Sequence, residues 1–251
     1  MLYYNTLWTL RPKPGLPVEI SHLTEKLDRD GFVLFPNFLS DSLFRKVKEE
    51  FRQLSPLFEE ESLPPASNPS IVRKLFLSRI EAPSALRKAF LENPHIALMA
   101  CHVSRRELWK EPQLVLGEWS CSQKMLNCSG QFTSADTIHF DVPYPSAKFF
   151  FYIDDVSDKN GAIHYAPGSH QMSWGRVLCE YKQSLFSMPN PLPSRKDVER
   201  CHLNCISLAG SGNTAIVINA KGFHYRNIFS STVPRRLVYI DFRYLDDLGA
   251  P

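Results

Sequence analysis

No stretch of this chain reaches the ~18 apolar residues that a membrane-crossing helix needs. The densest apolar run, Phe149 to Ile153, is the length of a strand. There is no CxxC pair, no GxGxxG, no P-loop, no internal repeat and no low-complexity linker. These absences argue against nucleotide-binding motifs, redox dithiols and solenoids. Lysine and arginine form no long block and the formal charge is only +3, so nucleic acid is not an expected partner. The six cysteines, at 101, 121, 128, 179, 201 and 205, fit neither a zinc ribbon nor a redox pair. A chain of 251 residues builds its core without covalent staples, so reduced thiols are expected. Met1 to Leu10 is apolar but lacks the basic start of a signal peptide, which makes the cytoplasm the expected location.

What is present is ordinary globular composition, 43% hydrophobic and 22% charged. The proline-rich patches at 12–17, 64–69 and 189–193 are too short to divide domains, so one domain over 1–251 is expected. Its first part, to about residue 112, reads as helical. After Ser40-Asp41-Ser42, apolar residues at Leu43, Val47, Phe51 and Leu54 mark one helical face, and Pro56 follows. Further helices are expected over Pro83 to Asn93 and Ile96 to Trp109. From about 113 to 245 the period shortens. Strands are expected at Leu114 to Leu116, Ala147 to Ile153, Ala215 to Asn219 and Leu237 to Tyr244, separated by turns such as Asp158-Lys159-Asn160-Gly161 and Gly210-Ser211-Gly212-Asn213. Helices followed by many short strands predict a mainly β protein, an antiparallel sandwich or barrel buttressed by α-helices.

The sharpest local feature is His139-Phe140-Asp141. On an extended chain residues i and i+2 share a face, so one imidazole and one carboxylate reach a common point. A non-haem Fe(II) site needs a second histidine and keeps three positions open. The candidates are His22, His95, His102, His164, His170, His202 and His224. His224 follows a strand and a turn, and Arg235 comes eleven residues later, after Pro234. A guanidinium fork binds a carboxylate through two hydrogen bonds, as an oxo-acid cosubstrate would require. Arg236 competes with Arg235, but neighbours on a strand face opposite ways, so only one enters a site.

Leu27 to Leu39 (LDRDGFVLFPNFL) resembles the opening of the phytanoyl-CoA dioxygenase-like family. The HxD at 139–141, the run from Ile153-Asp154-Asp155 through Asn160-Gly161-Ala162 to Pro167-Gly168-Ser169-His170, then His224 and Arg235, follow in that family's order over about residues 27 to 243. The resemblance implies a double-stranded β-helix, a cupin-like jelly roll, with N-terminal helices. It implies an Fe(II)- and 2-oxoglutarate-dependent oxygenase with His139, Asp141 and His224 as metal ligands and Arg235 on the far carboxylate of 2-oxoglutarate. Gln123 and Asn127 would hold its C1 end. O2 is the third reactant, 2-oxoglutarate becomes succinate and CO2, and a small metabolite, such as an amino acid or natural-product intermediate, is oxidised. Hydroxylation is the favoured outcome over desaturation, epoxidation or ring closure. Related halogenases carry a small residue where Asp141 stands, so halogenation is not expected.

Blander roles stand beside these. His170 and His164 read as structural or pocket-lining, and His202 between Cys201 and Cys205 lacks a fourth ligand for a closed zinc site. The aromatic run is expected as barrel core, with Phe149 a candidate for the substrate pocket. Trp174 and Arg79 are further substrate candidates, Arg79 with Arg73 and Lys74 as a basic cluster at the mouth. The stretch 171–200 is expected to act as a lid. Two other classes fit the barrel: an inactive cupin-like metal or ligand binder, and a metal-dependent isomerase or hydrolase.

Overall fold

The computed structural model describes residues 21–61, 70–105, 112–121, 138–142, 144–174, 176–177, 204–227 and 229–242. Helix α1 (Ser21–Asp30) leads through Gly31, at φ 84, into strand β1 (Phe32–Phe35). Helix α2 (Asp41–Leu54) buries Val47 and Phe51, the stripe expected from the apolar spacing. The short strand β2 (Glu59–Glu60) and the longer β3 (Ser70–Leu77) follow. The expected helix over Pro83 to Asn93 is a single turn, α3 (Ser84–Leu86), continued as a π-turn over Arg87–Leu91. Helix α4 (Pro94–Ser104) is capped by Asn93, whose side chain accepts from His95 N.

The strands are β4 (Leu114–Cys121), β5 (Ala147–Tyr152), β6 (Ile163–Tyr165), β7 (Ile206–Ser207), β8 (Ala215–Asn219), β9 (His224–Arg226) and β10 (Arg235–Asp241). Seven form one antiparallel sheet in the order β1-β8-β5-β10-β4-β3-β2, and three form a second, β7-β6-β9. This is the jelly-roll architecture expected from the sequence. The first part of the chain is not wholly helical, because β1, β2 and β3 all join the major sheet. Among the described residues no helix is long and apolar enough to cross a membrane.

The pleat of the major sheet sorts its side chains. Leu114, Leu116, Phe149, Phe151, Val217, Val238 and Ile240 face the helices and pack with Val47, Phe51, Phe90 and Met99. Tyr152, Ile216, Ile218 and Leu237 face the other way and meet Ile163 and Tyr165 of the minor sheet. The cluster between sheet and helices is built from apolar side chains. The space between the sheets is closed by apolar packing at one end and left open at the other, where polar residues line it.

Candidate functional site

His139 and His224 are held side by side by their backbones. His139 N donates to His224 O at 2.9 Å and His224 N donates to His139 O at 2.8 Å, the reciprocal pair of an antiparallel bridge. Asp141 N donates to Ala220 O at 3.0 Å, which ties the Asp141 backbone to the turn before His224. Two residues apart on an extended segment, His139 and Asp141 share a face. One ligand atom from each of His139, Asp141 and His224 lies within 4.8 Å of the others. His224 Nε2 is 3.4 Å from Asp141 Oδ2, and His139 Nε2 is 3.9 Å from Asp141 Oδ1.

The donor set suits a divalent first-row metal. The protonation pattern suits it too. His224 Nδ1 lies 2.9 Å from Gly222 O. A carbonyl only accepts, so Nδ1 carries a proton, and Nε2 is the ring atom turned towards Asp141. Burial alone would push the Asp141 carboxyl up; His224 and Lys148 hold it far below the ordinary carboxylate range.

His139, His224 and Lys148 open onto a cavity of about 470 Å³ between the sheets. The major sheet lines it with Lys74, Val115, Trp119, Lys148, Phe150, Arg235, Leu237, Tyr239 and Asp241. Arg235 is buried, its Nη1 donates to Gly161 O, and its guanidinium stacks on the Trp119 indole at 4.7 Å. Arg236 points to the opposite face of the sheet. There it binds Glu118 at 2.6 Å and Asp154 at 3.2 Å, and Asp154 also meets Lys48 at 2.7 Å.

Three substrate candidates from the sequence are not among the residues lining this cavity. Phe149 is 1% exposed and packs on Phe38 and Phe90 beneath the helices; the pleat places Phe150 in the cavity instead. Trp174 is 85% exposed on the turn after the Pro-Gly-Ser-His stretch. Arg79 is exposed at the turn after β3, where its carbonyl accepts from Arg87. The basic cluster also divides, since Lys74 lines the cavity while Arg73, one residue away, meets Glu118 on the helical face. Gln123, Asn127, His202 and most of the expected lid lie outside the described residues.

His170 is not with the triad. Its Nε2 lies 3.1 Å from the Asp28 carbonyl, and it lines a smaller cavity with His102 and Lys221. His164 pairs with Asp158 at 2.9 Å and stacks on Tyr225.

Sequence reading missed Lys148 and Arg176. Lys148 is the only charge in the apolar strand β5, which was its signal. Arg176 is 2% exposed and lies between the rings of Phe140 and Phe223, 4.2 Å from each centroid. Those rings flank the residues of the metal-ligand set, so Arg176 braces both segments from behind. Nothing in the local sequence marks it.

The sequence model of the phytanoyl-CoA dioxygenase (PhyH) family matches residues 27–183. No curated protein matches the chain in sequence. Among solved structures, the epimerase SnoN in complex with Fe3+, alpha ketoglutarate and nogalamycin RO is similar at TM-score 0.63 and 15% identity, over 90% of this chain and 84% of that one. EctD from S. alaskensis with bound Fe gives TM-score 0.60 at 15% identity, over 90% and 77%. AviO1 from Streptomyces viridochromogenes Tue57 gives 0.55 at 14%, over 94% and 99%. Likeness at such identities concerns the fold.

Proposed function

The chain belongs to the phytanoyl-CoA dioxygenase family, and on that premise we propose that it is an Fe(II)- and 2-oxoglutarate-dependent oxygenase acting on a small molecule. One observation carries the reading: His139, Asp141 and His224 converge, and the two histidines line the cavity that Arg235 also lines. His139, Asp141 and His224 would hold iron, and Arg235 would hold the far carboxylate of 2-oxoglutarate. When bound, these groups supply the oxidising chemistry, in which O2 and 2-oxoglutarate become succinate and CO2 while a substrate bond is oxidised.

The chain's own residues orient and exclude. The backbone bridge between His139 and His224 sets the two imidazoles before any metal arrives. The Gly222 carbonyl fixes the His224 tautomer. Trp119 supports the Arg235 guanidinium from one face, and Gly161 O holds its Nη1. Phe150, Tyr239 and Leu237 give the cavity an apolar wall that shields the reacting bond from water.

Three features support oxidation of a metabolite-sized substrate. The cavity has room for a cosubstrate and a small second molecule. Asp141 stands where a halogenase needs a small residue. Several structural neighbours come from natural-product biosynthesis, among them the epimerase SnoN and the carbocyclase SnoK. Their named reactions differ, so hydroxylation, desaturation, epoxidation and ring closure or opening are separated by products.

The test is anaerobic titration of metal-stripped protein with Fe(II) and 2-oxoglutarate, followed by the visible charge-transfer band of the chelate. The band is expected in wild type, absent in His224→Ala, and shifted to much higher 2-oxoglutarate in Arg235→Ala. No band in wild type at saturating iron overturns the reading in favour of a ligand-binding jelly roll. A band without succinate formation on any substrate points to an isomerase or hydrolase on the same barrel.

A further inference from the structure

Strand β5 reads Ala147-Lys148-Phe149-Phe150-Phe151-Tyr152, apolar but for one ammonium. The Lys148 side chain is 15% exposed and reaches across from the major sheet. Its Nζ lies 2.7 Å from Asp141 Oδ2 on the facing segment. Asp241, directly opposite on β10, has a carboxylate oxygen 3.7 Å from the same Nζ. A part-buried ammonium thus stands between two carboxylates, one on its own sheet and one in the proposed metal-ligand set.

We propose that Lys148 is the stand-in cation of the metal site. It neutralises Asp141 and keeps the three ligands assembled while no metal is bound, then moves to Asp241 when a divalent ion takes Asp141. This rests on the assignment of His139, Asp141 and His224 as metal ligands. The argument is one of charge. A part-buried carboxylate without a counter-cation is costly, and the Lys148 ammonium is in direct contact with Asp141. A divalent ion on Asp141 repels an ammonium held on the same carboxylate. Asp241 offers that ammonium an anion within a short swing of its side chain. Lys148 is therefore a positioning residue that acts through Asp141. It stabilises the empty site and, because the metal must displace it, weakens metal binding.

The experiment uses Mn(II), without 2-oxoglutarate or turnover. Melting temperature with and without Mn(II), and Mn(II) affinity by calorimetry, are measured for wild type, Lys148→Met, Lys148→Arg, Asp241→Asn and Asp141→Ala. Lys148→Met is expected to melt lower than wild type when metal-free, to recover with Mn(II), and to bind Mn(II) about tenfold more tightly. Lys148→Arg keeps the cation and stays near wild type. Asp241→Asn removes the second anion and binds Mn(II) more weakly. Should Lys148→Met not fold without metal, folding on addition of Mn(II) supports the proposal and failure to fold with it overturns it. Lys148→Met that is as stable as wild type without metal, or that binds Mn(II) no more tightly, also overturns it. That outcome leaves the metal-site reading intact if Asp141→Ala abolishes Mn(II) binding. If wild type binds no Mn(II), the metal-site reading fails and this proposal with it.

Discussion

The guanidinium carbon of Arg235 lies 4.7 Å from the centre of the Trp119 indole, and that indole lies over Gly117. The three stack on the cavity face of β4 and β10. A Cβ at Gly117 would collide with indole Cη2 and Cζ3, so Gly117→Ala must push Trp119 off its place beneath Arg235. On the proposed function, Gly117→Ala weakens 2-oxoglutarate binding about tenfold while leaving Fe(II) affinity near wild type. Titration of the chelate band against 2-oxoglutarate checks this. Equal affinity in the variant and wild type would show that Trp119 does not aim Arg235.

Arg176 gives a complementary expectation, because it is not among the residues that line the cavity. Its stacking between Phe140 and Phe223 joins the segment bearing His139 and Asp141 to the one bearing His224. Its Nη1 also donates to the Ser169 carbonyl, and the Ser169 hydroxyl accepts from Phe223 N. Arg176→Met keeps the volume but loses the planar cation. Metal affinity should fall ~10–100-fold, as for other groups that orient ligands from behind. Calorimetry with Mn(II) on protein shown to be folded by circular dichroism is the measurement.

How much of this was written in the sequence depends on residue and element. Strands β4, β5, β8 and β10 are rich in apolar residues, and all four were legible. Strand β3 was not, because Arg73 and Lys74 interrupt it and suggest a basic loop; in the sheet they face opposite sides. The minor-sheet strands have two or three residues each, too few for a period to show. The HxD spacing marked His139 and Asp141 as candidates, but a triplet that recurs by chance needed the family resemblance to become a ligand set, as did the choice of His224 from seven histidines. The pleat admitted only one of Arg235 and Arg236 to a site, and the interval from His224 and the preceding Pro234 favoured Arg235. The same pleat could not be used on Phe149 to Tyr152, because a run that is apolar on both faces carries no sign of which face is inside.

Asp154 sets a pH dependence remote from the cavity. Burial raises its carboxyl affinity for protons, but Lys48 and Arg236 outweigh that and hold it below the ordinary value. A depressed folded-state value contributes stability above the unfolded value, near ~3.9, and that stability is lost as pH falls through the folded value. Asp154→Asn should therefore be less stable than wild type at pH 7, by ~1 kcal/mol. The gap should begin to narrow as pH drops below about 4 and close only once pH has fallen through the depressed folded value, where wild-type Asp154 is neutral too. Urea unfolding at pH 7 and at a series of pH values below about 4 distinguishes this from a pH-independent loss.

Phe149 and Phe150 are adjacent, and the pleat gives them separate duties. Phe149 is enclosed by Phe38 and Phe90 and by the aliphatic core beneath the helices. Phe150 lines the cavity and stacks at 6.2 Å on Tyr239. Phe149→Ala should cost ~3–5 kcal/mol of stability, because the surrounding rings are held by the sheet and helices and fill the void only in part. Phe150→Ala should cost far less, since its side chain already borders open space. With an oxidisable substrate in hand, Phe150→Ala should instead raise KM or uncouple succinate formation from substrate oxidation, because the wall that positions the substrate has been cut back. The paired measurement is urea unfolding together with the ratio of succinate to oxidised product. A large stability loss in Phe150→Ala, with no change in that ratio, would mean that the cavity wall is core and that substrate lies elsewhere.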